Sequence, residues 1–466
     1  MQLAQNRLYF NKTAGVLLRV VLSKFLVEMQ YMFKGRMSPT KSAAKSQPSK
    51  KRYNMAWIVW GLAAFFYFSD YLARVAPGVM HKQLQYAFGM NEAGFGILTA
   101  SFYVPYIVMQ IPVGLTVDRL SIRGTLTAMS LLTALGCAIF GLAGGLTVGA
   151  VGRMLIGFSA AFAFVSALRL ATTWFPASML GLLAGLTQAL GMLGAAAGEM
   201  PVSFLVLHVG WRHSMLIIAF VFIILACFLY QFVRDNPARA RLHAQSMDSI
   251  KILQSLRIVL SHRQCWINAL YAGFLFAPTA VIGEAIGPAY LQYARGLSAG
   301  AAAFATGLIF VGWAISGPLS GWFSDRIGRR KSWMIFSALL GSILTAIIVF
   351  YPQINEYTMY VLFFVFGATN TGVALSYAVC AEIFPKKVIG TAIGFTNMAS
   401  IFIGACMQPL VGRLIDAVSG LRSYHVENLG FHDFQAGLKL LPICSLVALL
   451  LACLIKETYC HPIEND

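Results

Sequence analysis

Charge is what this chain has least of. Only 11% of its 466 residues are Asp, Glu, Lys or Arg, while 58% are hydrophobic, and a soluble protein of that length could not cover its surface with so few polar groups. A lipid bilayer is therefore the expected solvent. Acids are scarcer still, 17 against 35 basic residues for a net charge of +18. The excess gathers in the N-terminal tail and in alternate loops instead of one continuous face, which excludes nucleic acid as a partner. No Cys-x-x-Cys pair occurs among the eight cysteines and no His-x-x-x-His among the eight histidines, so neither a metal site nor a disulfide framework is implied and no cofactor is expected. The phosphate-binding P-loop and paired metal ligands are also missing, which speaks against ATP-driven work and against a metal-dependent hydrolase. The single Asn-x-Ser/Thr sequon, Asn11-Lys-Thr13, falls in the basic tail; that favours a bacterial inner membrane over a glycosylated eukaryotic one.

What is present is a succession of apolar runs. Residues 1–54 carry eleven Lys or Arg and one acid, Glu28; the run Ala14 to Met32 is interrupted by Arg19, Lys24 and Glu28, so a surface helix suits it better than a span. No small-residue cleavage site follows, so a signal peptide is not read. From Met55, twelve segments of spanning length follow, and in lipid each must be a helix because nothing else satisfies its backbone polar groups. The tail, the loop at Asp118–Arg123, the stretch from Arg234 to Arg263, the loop at Asp325–Lys331 and Lys386-Lys387 fall on one side. The positive-inside rule makes that side, with both termini, cytoplasmic. The expected layout is a tail (1–54), six helices (55–233), a linker (234–263), six more helices (264–456) and a short tail (457–466).

The chain also repeats itself. Gly321-Trp-Phe-Ser-Asp325-Arg326-Ile-Gly328-Arg329-Arg330-Lys331 is echoed 207 residues earlier by Gly114-Leu-Thr-Val-Asp118-Arg119-Leu-Ser-Ile-Arg123, and Phe175-Pro176 with Gly181 and Gly185 recurs 209 residues on as Phe384-Pro385 with Gly390 and Gly394. Duplicated halves of this kind mark membrane transporters whose site lies at the interface of the repeats.

With these loops in a six-plus-six layout, the sequence resembles the major facilitator superfamily from Met55 to Ile455. Ser121 and Ile122 depart from the motif in its first copy. Phe68-Ser-Asp70-Tyr-Leu-Ala-Arg74-Val-Ala-Pro77, Gln110-Ile-Pro112, Trp174-Phe-Pro176, Gly210-Trp211-Arg212 and Gly394-Phe-Thr-Asn397…Gln408-Pro409 are similar to the phagosomal-type amino-acid and nucleoside permeases of intracellular bacteria. Lysosomal-type dipeptide carriers and organic-anion symporters share part of the pattern. The resemblance implies an all-α fold of twelve transmembrane helices in two pseudo-symmetric bundles. It also implies a secondary transporter, not an enzyme, that moves a small metabolite, an amino acid or short peptide first, coupled to protons and working as a monomer. An organic-anion, organic-phosphate or nucleoside carrier is the alternative, and a membrane receptor or scaffold the reading outside transport.

Buried charge singles out the candidate residues, because an ionisable group in a bilayer needs a partner or a purpose. Asp70 and Arg74 share one face of the first helix and can pair; either they fix packing, or Arg74 binds a substrate carboxylate while Asp70 orients it or titrates. Glu284 and Glu199, in glycine-rich surroundings, are candidate proton-coupling groups together with Asp70; each is alternatively a neutral carboxyl bonded locally. Tyr71, Tyr103, Tyr106, Gln188, Asn370 and Asn397 are candidates to line the cavity, with interhelical hydrogen bonds as their bland alternative. Asp118, Arg119, Arg123, Arg169, Asp325, Arg326, Arg329, Arg330 and Glu382 are the expected cytoplasmic gate, in which the aspartates accept from a facing helix N-terminus and the arginines hold helix ends or carboxylates. Contact with anionic lipid is the other use of the exposed arginines.

Overall fold

The computed structural model describes residues 50–176, 179–234, 252–385, 388–420 and 426–461, and every regular element among them is helical. Everything described below belongs to the compact unit Asn54–Asp466. The run Ala14 to Met32 and the basic pair Lys386-Lys387 lie outside the described residues.

Among the described residues, eleven helices are long and apolar enough to cross a bilayer: Asn54–Phe88, Glu92–Gln110, Ile122–Leu142, Leu146–Trp174, Leu180–Phe232, Arg263–Ala294, Ala299–Ile327, Arg330–Phe350, Glu356–Ile383, Ile389–Ser419 and Phe431–Leu454. Leu180–Phe232, at 53 residues, would be about 80 Å long if straight, far beyond a hydrocarbon core of about 30 Å. It breaks at Gly210, where φ is 77° and ψ 163°, a conformation essentially reserved for glycine. Two spans therefore share that element, and the spans among the described residues number twelve, as the sequence implies. They are called first to twelfth below. Their outward faces carry large exposed side chains such as Leu142, Phe204, Phe220, Val361 and Leu450, a surface only lipid would tolerate.

The duplication is repeated in the packing. A Cβ on Gly157 of the fourth span would run into the carbonyl oxygen of Phe102 in the second, and one on Gly367 of the tenth would run into that of Ile309 in the eighth. These are corresponding places in the two halves, and each needs glycine so that two backbones can touch.

The halves meet at the end of the molecule away from the Asp325–Lys331 loop, here the far end. Asp416 of the eleventh span accepts from the backbone N–H groups of Glu92 (3.2 Å) and Ala93 (2.9 Å) at the start of the second, where the helix macrodipole favours a carboxylate. A Cβ on Gly96 would lie 2.6 Å from Pro409 Cα, so the same two spans are in backbone contact. Gln85 accepts from Val426 N–H at 2.8 Å, and Lys82 and Tyr86 both engage Glu427. Toward the signature-loop end the contacts thin out: Gly181 and Gly185 in the fifth span, Gly317 and Gly321 in the eighth, and Gly390 and Gly394 in the eleventh have no atom within 4 Å of where a Cβ would sit. Among the described residues, the contacts between the halves gather at the far end.

Candidate functional site

The seventh span is not a regular helix where it matters. Thr279–Ile286 and Tyr290–Ala294 are π-helical, and Pro278 and Pro288 flank Glu284. Pro288 has no N–H to return to the Glu284 carbonyl four residues back, so the turn widens. π segments of this sort frequently mark working sites.

Glu284 projects from that widened turn to Arg74 of the first span. Arg74 Nη2 reaches Oε1 at 2.8 Å and Oε2 at 3.0 Å, and both side chains are buried. The two positions are 210 residues apart, so they are equivalents in the repeat and their pair straddles its pseudo-symmetry axis. Tyr103 of the second span donates to Glu284 and lies 3.4 Å from Arg74 Nη2. The guanidinium also faces the rings of Tyr71, Phe102 and Tyr103, 5.0, 5.6 and 4.9 Å from their centroids, as a desolvated cation favours.

Expected pairing within the first helix is thereby corrected: Arg74 bonds Glu284, not Asp70. A carboxylate from the opposite half meets the guanidinium head-on, with Tyr103 as a second donor, whereas Asp70 Oδ1 has no hydrogen-bond partner among the described residues. Asp70 remains within the electrostatic reach of Arg74 and Arg153.

Arg153 of the fourth span carries more weight than the sequence alone suggests. It is 1% exposed, donates to the carbonyls of Ala73 (3.1 Å) and Thr99 (3.4 Å), and stacks 5.0 Å from the Phe102 ring centroid. Two guanidinium groups thus share one phenyl ring. Neither Arg74 Nε nor Arg153 Nε has a hydrogen-bond acceptor among the described residues, although burying an unpaired donor is costly.

Glu199 of the fifth span is wholly buried, and both its oxygens lack a hydrogen-bond partner among the described residues. Nearer the signature-loop end, buried and half-buried polar groups form a chain. Tyr67 bonds Tyr71 and Gln188, at 3.4 and 3.3 Å; Tyr106 bonds Gln110; Asn397 accepts from Tyr377 at 3.0 Å and donates across the halves to Gln110, also at 3.0 Å. Asn370 is not among them. It is buried at the break in the tenth span and donates to its own turn, to Phe366 O at 2.8 Å; a cavity-lining place is not where the structure puts it.

The signature loop holds its own half together. Arg330 pairs with Glu382 (2.9 Å) and Asp325 (2.6 Å), and Thr458 donates to Glu382. The helix N-terminus expected to meet an aspartate is capped instead by Glu457, which accepts from the N–H groups of Arg330 (2.8 Å) and Lys331 (3.1 Å). Asp325 is taken up by Arg330 within its own loop, and a carboxylate from the C-terminal segment stands nearer the helix start. Nothing in the spacing of the sequence announces Glu457. Arg326 lies over the Trp322 ring and Arg329 is exposed. Arg123 stacks on Tyr230 at 4.0 Å, between the third and sixth spans; Arg169 is half-buried and its carbonyl accepts from Thr172 and Thr173. The side chains of Asp118 and Arg119 lie outside the described residues.

Comparison with known proteins agrees with this architecture. The model of the Major Facilitator Superfamily matches residues 60–409 and 278–459. The probable sulfoacetate transporter SauU of Cupriavidus necator is 25% identical over 79% of this chain and 89% of its own. The membrane sensor protein UhpC of Escherichia coli is 23% identical over 77% of this chain and 84% of its own. Among solved structures, an inward-facing, unoccupied bacterial homolog of the human lysosomal transporter Spinster superimposes with a TM-score of 0.69 at 16% identity, covering 87% of this chain and 98% of that one. Twelve helices in duplicated halves, the signature loop and the family match together place this multi-pass membrane protein in the Major Facilitator Superfamily of transporters.

Proposed function

We propose that this transporter moves a small organic anion bearing a carboxylate, sulfonate or phosphate, together with protons, by rocking the six-helix halves 55–233 and 264–456 about their interface. The observation that carries this reading is the Arg74–Glu284 pair. Arg74 already holds a carboxylate between the halves, at the closed head of the opening, and its Nε is unspent. An incoming anion would take over the guanidinium, for which Arg's planar fork is suited, and so release Glu284 to accept a proton. Breaking a contact between the halves and loading a proton then become one event, which is the requirement for coupling.

Several observations favour an anion over the amino acid or short peptide first expected. The half-buried polar side chains toward the signature-loop end, Tyr71, Tyr106, Gln110, Gln188, Tyr377 and Asn397, are neutral, so none supplies a counter-charge to a substrate ammonium. The second cation, Arg153, adds positive potential behind Arg74. SauU, a relative, is described as handling sulfoacetate, a substrate with two acidic groups. With the basic loops on the cytoplasmic side of a bacterial inner membrane, the present form faces inward.

Uptake into proteoliposomes tests the proposal. Sulfonated and dicarboxylic acids, sugar acids and sugar phosphates are compared with amino acids and dipeptides, with and without an imposed pH gradient. Accumulation of an organic acid driven by the gradient, and lost in Arg74→Lys, is the expected result. Preference for a zwitterion would overturn the anion reading, and uptake indifferent to the gradient would overturn coupling. Saturable binding with no uptake of any compound would instead assign a receptor role, as the description of UhpC as a sensor suggests for that relative.

A further inference from the structure

Beside the interface of the halves at the far end lies a cavity of about 200 Å³, lined among others by Gly78, His81, Lys82, Ser203, Gln292 and Tyr293. A water molecule occupies about 30 Å³ in the liquid and needs polar partners to stay in a protein; this cavity has room for several and hydroxyl, amide, imidazole and ammonium groups to hold them. Lys82 and Leu207 in its wall are exposed, so it communicates with the far surface. None of the residues in the Arg74 cluster lines it.

Its inner wall is the neighbourhood of Glu199. Ser203 follows Glu199 by four residues, hence lies on the same face of the fifth span. Gly78 presents only backbone: a Cβ there would sit 3.5 Å from Glu199 Oε1 and 3.3 Å from the Ala285 carbonyl. Glu199 is 0% exposed with both oxygens unpartnered among the described residues. A carboxyl with no counter-charge in contact is expensive to ionise in such a place. The titratable and charged groups facing it are Glu284 from the seventh span, whose negative charge acts on it, and His81, Lys82 and Tyr293 around the cavity; Arg74 is committed to Glu284.

From this juxtaposition we infer that the cavity is a water-filled proton antechamber, through which Glu199 exchanges its proton with the far side of the membrane past Gly78 and Ser203. The inference rests on the proton coupling proposed above and gives it a route. In the transfer, a hydronium ion in the antechamber gives one proton to Glu199 Oε1 and becomes water; no other bond is made or broken. The proton thus reaches Glu199 by a path separate from the substrate's, and Glu199 hands it to Glu284 once the anion has freed that carboxylate from Arg74.

Three variants and one chemical modification test it in proteoliposomes. Ser203→Leu replaces the polar wall by a branched apolar side chain, and Gly78→Ala puts a methyl group between the cavity and the carboxyl. Each is expected to slow pH-driven accumulation at least tenfold while substrate counterflow, which needs no net proton movement, stays within twofold. Glu199→Gln is expected to abolish pH-driven accumulation. A water-soluble carbodiimide added from the far side should modify Glu199 in the unaltered protein, as read by mass spectrometry, and modify it more slowly in Ser203→Leu. If Glu199→Gln loses accumulation but Ser203→Leu and Gly78→Ala keep it, and the carbodiimide does not reach Glu199, the route is overturned and coupling stands. If Glu199→Gln still accumulates substrate, Glu199 is not the carrier and the inference falls alone. If the unaltered protein ignores the gradient, the coupling reading falls first. Should a wall variant fail to fold, the carbodiimide result on the unaltered protein decides.

Discussion

At the scale of single residues, Arg74 and Glu284 set what can be tested. Glu284 competes with any anion for the guanidinium, so Glu284→Gln removes a charge-assisted hydrogen bond worth about 1.5–3 kcal/mol. Organic-anion binding to Glu284→Gln should therefore tighten about tenfold or more by calorimetry, while pH-driven accumulation is lost; weaker binding would show that Glu284 helps to hold the substrate instead. Arg74→Ala is expected to lower thermal stability as well as binding, because it strands Glu284 in a buried place at a cost of about 3–5 kcal/mol, whereas Arg74→Lys keeps the charge and isolates the binding defect. In the signature loop, Arg330→Gln takes a partner from Glu382 and Asp325 at once. It should lower the unfolding temperature in detergent more than Arg329→Gln does, since Arg329 is exposed.

At the scale of helices, close approach and irregular turns decide which residues meet. Gly157 and Gly367 are two equivalent places where one span lies directly on the backbone of another. Gly157→Ala and Gly367→Ala should each destabilise the protein by about 1–3 kcal/mol, the usual cost of overpacking, seen as a lower melting temperature; equal stability to the unaltered protein would mean the backbones part without strain. In the seventh span, Pro288→Ala restores a donor to the Glu284 carbonyl and should draw the π turn toward α-helical geometry. Transport is expected to fall with stability unchanged or raised, which a melting curve beside an uptake assay would separate.

For the molecule as a whole, the two ends are held by different means. The far end is closed by contacts between halves, Asp416 on the start of the second span and Gly96 against Pro409. At the signature-loop end the ion pairs among the described residues lie inside the second half. Asp416→Asn keeps the shape but weakens the attraction to the helix N-terminus, about 0.3–1 kcal/mol at an exposed site and up to about 2 where partly buried. It should shift the population toward the form open at the far end, read as faster labelling of single cysteines placed there and slower labelling at positions 185 and 394. Unchanged labelling would mean that the close packing around Gly96 and Gly412 closes that end without the carboxylate.

Sequence alone determined that the chain lives in lipid, that it has twelve spans in duplicated halves, and where its buried charges fall, because hydrophobicity and repetition are properties of the order of residues and need no contacts to be read. Arg74, Glu284 and Glu199 stood out for the same reason: in a bilayer any charge is conspicuous. Tertiary structure alone decided who pairs with whom. Asp70 was the nearest acid along the helix and lost Arg74 to a residue 210 positions away; Arg153 was one basic residue among many until packing set it on the ring that faces Arg74; and Glu457, in a short polar tail, came to cap a helix 126 residues before it. Pairing depends on depth, on rotation about each helix axis and on how two halves face each other, and those quantities exist only once the helices have been assembled.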